Sequence, residues 1–284
     1  LLKELKDGAQ DRGLVSCVMT FEPHPKEFFS PEQAPPRILN LRDKLAAFAD
    51  IGIDRIVVEH FNSAFARLTP EEFVSEIIVK QLNAKWILIG DDFCYGAKRA
   101  GNFASLKAAG EQFGFEVSSI HTVQEDGERI SSSALRNALA NGDMDQASKL
   151  LGRPYGISGH VIHGQKLGRT LGFPTLNLAV ANHLHHRKPA CSGIFTAQVL
   201  GLGERPLPAV ASLGVRPTVE DQGRVLLETH IFDYNADVYG KIITVELLEK
   251  IRDEAKYSDL DTLTKAIASD AAHARNYFQK KSYV

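Results

Sequence analysis

The stretch from His163 to Leu178, HGQKLGRTLGFPTLNL, holds the densest set of groups in the chain that could do chemistry. Gly164, Gly168 and Gly172 recur at every fourth position, with Lys166 and Arg169 between them. Glycine lets backbone N–H groups come close to an anion, and two cations would neutralise it, so the pattern suits a phosphate. It is not the G-x-x-x-x-G-K-[ST] loop: three residues separate Gly164 from Gly168, and Arg169 stands where that loop carries lysine. Pro174 fixes the backbone just ahead of Thr175. Thr175 and Asn177 then share one face of any extended segment. A hydroxyl and an amide oxygen side by side are hard ligands, suited to Mg²⁺ held jointly with nucleotide phosphates. On spacing alone, a Gly-rich loop running into a strand remains the open alternative.

Four other places carry candidate chemistry. Glu228 sits in the run Val225 to Phe232, where Leu226, Glu228, His230 and Phe232 would share a strand face. A carboxylate among apolar neighbours is a better base than a solvated one. An edge-strand glutamate that deters aggregation is the alternative. Asp91 and Asp92 follow directly on the apolar run Trp86 to Ile89, at the carboxyl end of a strand, where ligands of open α/β sheets bind. Ser131, Ser132 and Ser133 open a helix whose free N–H groups favour an anion, with Arg136 on the first turn. A turn aspartate and a capping serine are the structural alternatives. His183, His185 and His186 lie among Arg187, Lys188 and Pro189 and read as a solvated loop rather than a metal cluster. Cys94 has no partnered base in the sequence, and Trp86 reads as core.

The elements that must position these groups change character part-way along the chain. Leu14–Phe21, Arg55–Glu59, Trp86–Ile89 and Phe115–Ile120 read as strands alternating with helices over Leu41–Asp50, Glu71–Leu82 and Phe103–Phe113. That order predicts a parallel sheet covered on both faces. Ser132–Leu151 reads as helical. After Gly152, short β runs follow at Ile157–His163, Gly193–Leu200, Ala209–Leu213, Val225–Phe232 and Lys241–Leu248, punctuated by Gly and Pro. These predict a small antiparallel barrel or sandwich. Ser258-Asp259 would cap a last helix with a stripe of Leu260, Leu263, Ile267 and Ala274.

The 284 residues suggest two domains at roughly 150 residues each. A net charge of −2 gives no basic field for nucleic acid. Residues 1–152 carry net −5 and the remainder net +3, which permits a phosphate ligand in the second half. The longest uncharged stretch of near-apolar character, Ala190–Gly203, is too short and Gly-rich for a bilayer. Cys17, Cys94 and Cys191 stand alone, which suits a reducing cytoplasm. The chain opens without Met inside a helical pattern; it is expected to carry no leader sequence and to lack an upstream stretch.

Four segments in order, HGQKLGRTLGFPTLNL, SGIFTAQV (192–199), ASLGVRPTV (211–219) and LETHIFDYNADVYGKIITVELLEKIRDE (227–254), resemble the riboflavin kinase domain. Leu176 stands where the family usually has Ala, and Ser212 where Asn is common. In the first half, TFEPHP (20–25), GDDFCYGAKRAGN (90–102) and ISSSALR (130–136) resemble the adenylyltransferase domain that precedes this kinase in the bacterial bifunctional riboflavin kinase/FMN adenylyltransferase family. The resemblance implies a Rossmann-like nucleotidylyltransferase domain over 1–152 and a β-barrel kinase domain with a C-terminal helix over 153–284. It implies ATP-dependent conversion of riboflavin to FMN and of FMN to FAD, with Mg²⁺. Gly164, Lys166, Gly168, Arg169, Gly172, Thr175 and Asn177 would bind ATP, Thr175 and Asn177 holding the metal. Glu228 would take the proton of the terminal ribityl hydroxyl, and Arg252 would contact the flavin side. His24, Asp91, Asp92, Ser131, Ser132 and Arg136 would serve the adenylyltransferase site. That family's G-N-F-D-G-V-H-x-G-H segment is not found here and is expected ahead of Leu1, so the chain as written is expected to form FMN but little FAD. A non-catalytic flavin or nucleotide carrier, a riboflavin kinase alone and a P-loop-type kinase of another metabolite are the other readings. The oligomeric state is left open.

Overall fold

The computed structural model describes residues 1–90, 92–120, 124–125, 128–129, 131–164, 168, 171–180, 189–215 and 225–281. The described elements run α1 (Leu2–Asp11), β1 (Cys17–Glu22), α2 (Pro25–Phe29), α3 (Leu41–Ile51), β2 (Arg55–His60) and α4 (Pro70–Glu72), the last continuing as a π-helix over Phe73–Gln81. Then come β3 (Trp86–Gly90), α5 (Phe103–Phe113), β4 (Glu116–Ile120), the two-residue strands β5 (Gln124–Glu125) and β6 (Glu128–Arg129), α6 (Ser132–Asn141) and α7 (Met144–Leu151). The β-rich part follows: β7 (Tyr155–Ile162), β8 (Leu176–Ala179), β9 (Gly193–Leu200), β10 (Leu207–Val215), β11 (Val225–Ile231), β12 (Ile242–Arg252), and last α8 (Leu260–Lys280). By packing the chain divides into two compact units, residues 1–35 with 44–129, and residues 36–43 with 130–284.

In the first unit β1 pairs with β2 and β3 with β4, both in parallel. Among the described residues these are two separate two-stranded sheets, not one continuous sheet. Their strands are half-buried rather than fully buried. The helical period over Phe73–Gln81 sets Phe73, Val74, Ile77 and Ile78 inward, where they meet Ile89, Leu106 and Phe115. Strand β1 begins at Cys17, not Leu14, because the Ser16 N–H and hydroxyl both donate to the Asp54 carboxylate (2.9 and 2.6 Å) instead of entering a ladder. Trp86 is half-buried, not core: its indole N–H donates to Ser118 and the Arg12 guanidinium lies 4.3 Å from its ring centroid.

The second unit is built on a closed barrel in the order β10-β11-β8-β7-β12-β9, every pair antiparallel. Alternation along each strand sends Ile157, Leu178, Phe195, Ala197, Leu213, Leu227, Val245 and Leu247 inward, all nearly or fully buried. The helical run Ser132–Leu151 is two helices. Gly142 adopts the left-handed conformation (φ 75°) that ends α6, and Asp143 caps α7 by accepting from the Gln146 N–H. Both helices pack with the barrel core through Leu135, Leu139, Met144 and Ala147. Residues 36–43 belong to this unit: Ser158 donates to Asp43 (3.2 Å), Asn40 donates to the Ser158 carbonyl (3.0 Å), and Arg136 Nε donates to the Pro36 carbonyl (2.8 Å).

Asp259 caps α8, accepting from the Thr262 N–H at 2.8 Å. The expected stripe needs one correction. Leu260 is 57% exposed, while Ala271, Ala274 and Phe278 bury against Val210 and Phe232. Near its middle, α8 is pinned to β12 by a fork: Arg252 Nε donates to Asp270 Oδ1 (2.9 Å) and Arg252 Nη2 to Oδ2 (2.5 Å), with Asp270 buried. Removing one partner of such a pair strands the other charge and costs about 3–5 kcal/mol. Asp270→Ala is therefore expected to lose roughly 3 kcal/mol or more in urea denaturation, whereas Leu260→Ala should stay within about 0.5 kcal/mol of the parent.

Candidate active site

Strand β11 carries the centre of the site. Val225, Leu227 and Ile231 point into the barrel, so Glu228 and His230 stand on its outer face. The ladders place Glu228 directly opposite Asn177 of β8 on one side and Ser212 of β10 on the other. Ser212 faces Ile194 of β9, and Ile194 faces Arg252 of β12. One row of residues thus crosses five strands, Asn177–Glu228–Ser212–Ile194–Arg252. The immediate cross-strand neighbours of Glu228, Asn177 and Ser212, are polar; Leu226 and His230 lie beside it on its own strand face.

The row floors a cavity of about 260 Å³. Leu171, Phe173, Ile194, Val210, Leu263 and Ile267 give it apolar walls. Thr175, Asn177, Ser212, Glu228, Glu254 and Tyr257 supply the polar groups. An apolar slot with a few converging polar atoms is the usual form of a small-molecule site. Helix α8 forms one wall, so the Arg252–Asp270 fork shapes the cavity as well as the fold.

Of the expected kinase-site residues, Gly168, Thr175, Asn177, Glu228 and Arg252 line this one cavity. Lys166 and Arg169 lie outside the described residues, as do His183, His185 and His186. The glycines serve packing here. Gly164 lies against the Asn177 amide, where a Cβ would overlap it. A Cβ on Gly168 would overlap the Phe173 carbonyl and stand 3.3 Å from Thr175 Oγ1. The Gly168 carbonyl accepts from the N–H groups of Leu171 and Phe173 (3.2 and 2.8 Å), and Gly172 takes the positive φ (82°) that this turn needs. Asn177 is 5% exposed, and its Oδ1 has no hydrogen-bond partner among the described residues. An orphaned hard acceptor beside a hydroxyl fits a divalent cation.

Arg252 is more heavily engaged than a ligand contact requires. Besides the fork to Asp270, its Nη1 donates to the Asp253 carbonyl at 2.9 Å. Glu254 is a polar group the sequence reading did not single out. Its carboxylate lies on the Gly214 backbone, where any Cβ would overlap it. Burial and the nearby Glu228 carboxylate both hold Glu254 above the usual carboxylate range. The signal available in the sequence was Gly214 itself, a glycine inside a strand that marks a close approach.

The residues expected for the adenylyltransferase site are distributed between the units. His24 and Asp92 lie in the first, Ser131, Ser132 and Arg136 in the second, and Asp91 lies outside the described residues. His24 caps α2, its Nδ1 accepting from the Lys26 N–H while the His24 backbone N–H donates to the buried Glu27 carboxylate (2.9 Å). Ser131 caps α6 by accepting from the Ala134 N–H (3.1 Å). Arg136 reaches the Pro36 and Ser132 carbonyls. Ser132 and Asp92 are exposed.

Comparison with known proteins agrees with these two halves. Residues 1–134 match the family model described as FAD synthetase, and residues 151–278 the one described as riboflavin kinase. The bifunctional riboflavin kinase/FMN adenylyltransferase of Escherichia coli K12 is 44% identical over 98% of this chain and 87% of that protein. The protein of the same description from Pseudomonas fluorescens is 42% identical over 97% of this chain and 86% of its own length. A crystal structure from Streptococcus pneumoniae described as a macrolide-efflux protein superposes with a TM-score of 0.74, at 31% identity, covering 97% of this chain and 88% of that one. No helix among the described residues is long and apolar enough to cross a membrane. With both halves matched in the same order as the motifs, and 44% identity spread across nearly its whole length, the chain belongs to the bifunctional riboflavin kinase/FMN adenylyltransferase family.

Proposed function

We propose that the cavity on the barrel wall is where riboflavin is phosphorylated, with Glu228 as general base. The observation that carries this is the pairing of Glu228 with Asn177, whose buried Oδ1 is left for a ligand. Riboflavin fits the cavity by chemistry. Its ring system would lie against the walls of Ile194, Val210, Leu263 and Ile267, and its ribityl chain would run toward the polar row. The terminal hydroxyl oxygen attacks the γ-phosphorus of ATP, the bond from that phosphorus to the β–γ bridging oxygen breaks, and ADP leaves. Glu228 receives the hydroxyl proton as the new O–P bond forms. Thr175 and Asn177 would hold Mg²⁺, which neutralises charge on the phosphate oxygens when bound. Gly164, Lys166, Gly168, Arg169 and Gly172 would surround the phosphates. Arg252 acts through the position of α8 in addition to any flavin contact.

FAD formation transfers the adenylyl group of ATP to FMN with release of pyrophosphate. His24, Asp91, Asp92, Ser131, Ser132 and Arg136 are the residues we assign to it. We keep the functional division at residues 1–152 and 153–284, and place the enzyme in the cytoplasm, where its three free cysteines stay reduced. Its partners are small molecules, with no nucleic acid.

Glu228→Gln keeps the shape of the row but removes the base. Riboflavin kinase kcat should fall by about 10²-fold or more with little change in either KM. Turnover equal to the parent would remove Glu228 from the mechanism. Thr175→Ala and Asn177→Ala should each shift the Mg²⁺ titration of FMN formation to higher metal concentration and raise the KM for ATP. A metal titration that overlays the parent would show that the substituted residue is not a ligand.

A further inference from the structure

We propose that His230 is a positioning residue for FMN formation, locking the peptide that carries Thr175 to the strand that carries Glu228. This rests on the kinase reading of the cavity. His230 lies two residues after Glu228 on the same outer face of β11 and lines the same cavity. The β11–β8 ladder runs Leu226–Ala179, Leu227–Leu178, Glu228–Asn177, Thr229–Leu176 and then ends. The next opposed pair would be His230 with Thr175. Pro174 follows in the same direction and has no N–H to donate, so a backbone ladder cannot continue through it. The His230 side chain takes over at that point, its Nδ1 lying 2.8 Å from the Pro174 carbonyl.

A carbonyl only accepts, so Nδ1 must carry the proton. The Pro174 carbonyl and the Thr175 N–H belong to one planar unit and point in opposite directions. Holding the carbonyl toward β11 therefore fixes the orientation of that whole peptide, and with it the start of the Thr175–Asn177 segment. The ring is itself held. Phe173 meets it edge-on with centroids 5.5 Å apart, and Phe232 does the same at 5.7 Å. The Arg275 guanidinium lies over the Phe232 ring, 4.3 Å from its centroid, and makes a two-pronged pair with Asp233. A misplacement of about 1 Å in a positioning group can cost on the order of 10²-fold in rate.

Three variants separate the bond from the bulk. In His230→Asn the amide N–H₂ falls close to the place of Nδ1, in His230→Gln it falls nearer that of Nε2, and His230→Phe keeps a ring without a donor. Two readouts are taken on the full chain: steady-state riboflavin phosphorylation, and calorimetric binding of Mg·ADP without turnover. His230→Gln and His230→Phe should lower kcat by about tenfold or more and weaken Mg·ADP binding, while the KM for riboflavin changes little. His230→Asn should stay within about threefold of the parent on both readouts. The proposal is overturned if His230→Phe matches the parent, or if His230→Asn is as impaired as His230→Gln. Should His230→Phe not fold, the Asn and Gln pair, which differ by one methylene, decides alone. Thr175→Ala is measured alongside. Unchanged Mg·ADP binding there refutes the metal reading, and the order of Asn against Gln in kcat still tests the His230 bond.

Discussion

The register of β8, β11 and β10 is the constraint on which the site depends. Side chains alternate along a strand, so a slip of one residue in β11 would turn Glu228 into the barrel and bring Leu227 out. Leu227 is fully buried, as are Leu178 on β8 and Leu213 on β10, and these three sit side by side in the ladders. Exposing Leu227 and burying a carboxylate would lose about 2 kcal/mol or more of apolar burial and add a larger desolvation cost. The apolar interior therefore fixes which residues stand in the outer row. Closure of the barrel between β9 and β10 completes that row, because it brings Ile194 and Arg252 onto the same line as Asn177 and Glu228.

The second constraint is close backbone approach. Gly164, Gly168 and Gly214 each lie where a Cβ would overlap a polar group of the cavity: the Asn177 amide, the Phe173 carbonyl and the Glu254 carboxylate. Read as sequence, the regular spacing of Gly164 and Gly168 pointed to bare N–H groups around a phosphate. In the fold both also let the chain press against the two residues at spacing two, Thr175 and Asn177. The glycines and the candidate ligands are thus one packed unit, and a side chain at either glycine would displace the ligand beside it.

What the sequence made legible was local. Alternation in Val225–Phe232 placed Glu228 on one strand face with His230, and spacing placed Thr175 with Asn177, because each follows from a period of two. Five of the six barrel strands were legible for the same reason, β8 not being among them, and the cap of α8 at Asp259 was legible from its residue type. What could not be read was set by long-range contacts. His230 meets Pro174 across 56 positions, and Arg252 meets Asp270 across 18. No period in the chain encodes either. Leu260 fits the helical stripe by spacing yet stays exposed, since it begins α8 before that helix reaches the barrel wall. The break between α6 and α7 was visible as Asn141-Gly142-Asp143, a helix stop followed by a cap, but the continuous apolar pattern masked it.

Asn177 Oδ1, without a hydrogen-bond partner among the described residues, is the point where stability and function diverge. A buried acceptor without a partner costs roughly 1–3 kcal/mol, and an apolar residue at a position facing Gly164 would avoid that cost. The neighbourhood is not built to relieve it. Gly164 brings backbone against the amide, Thr175 lies two residues away on the same face, and Glu228 stands opposite across the ladder. These groups offer oxygen atoms that can share a cation, and the Thr175 hydroxyl and the Asn177 amide N–H₂ can also donate. The closed barrel holds Asn177, Glu228 and Ser212 in one register, so the burial of Asn177 is imposed by the same ladders that form the cavity floor.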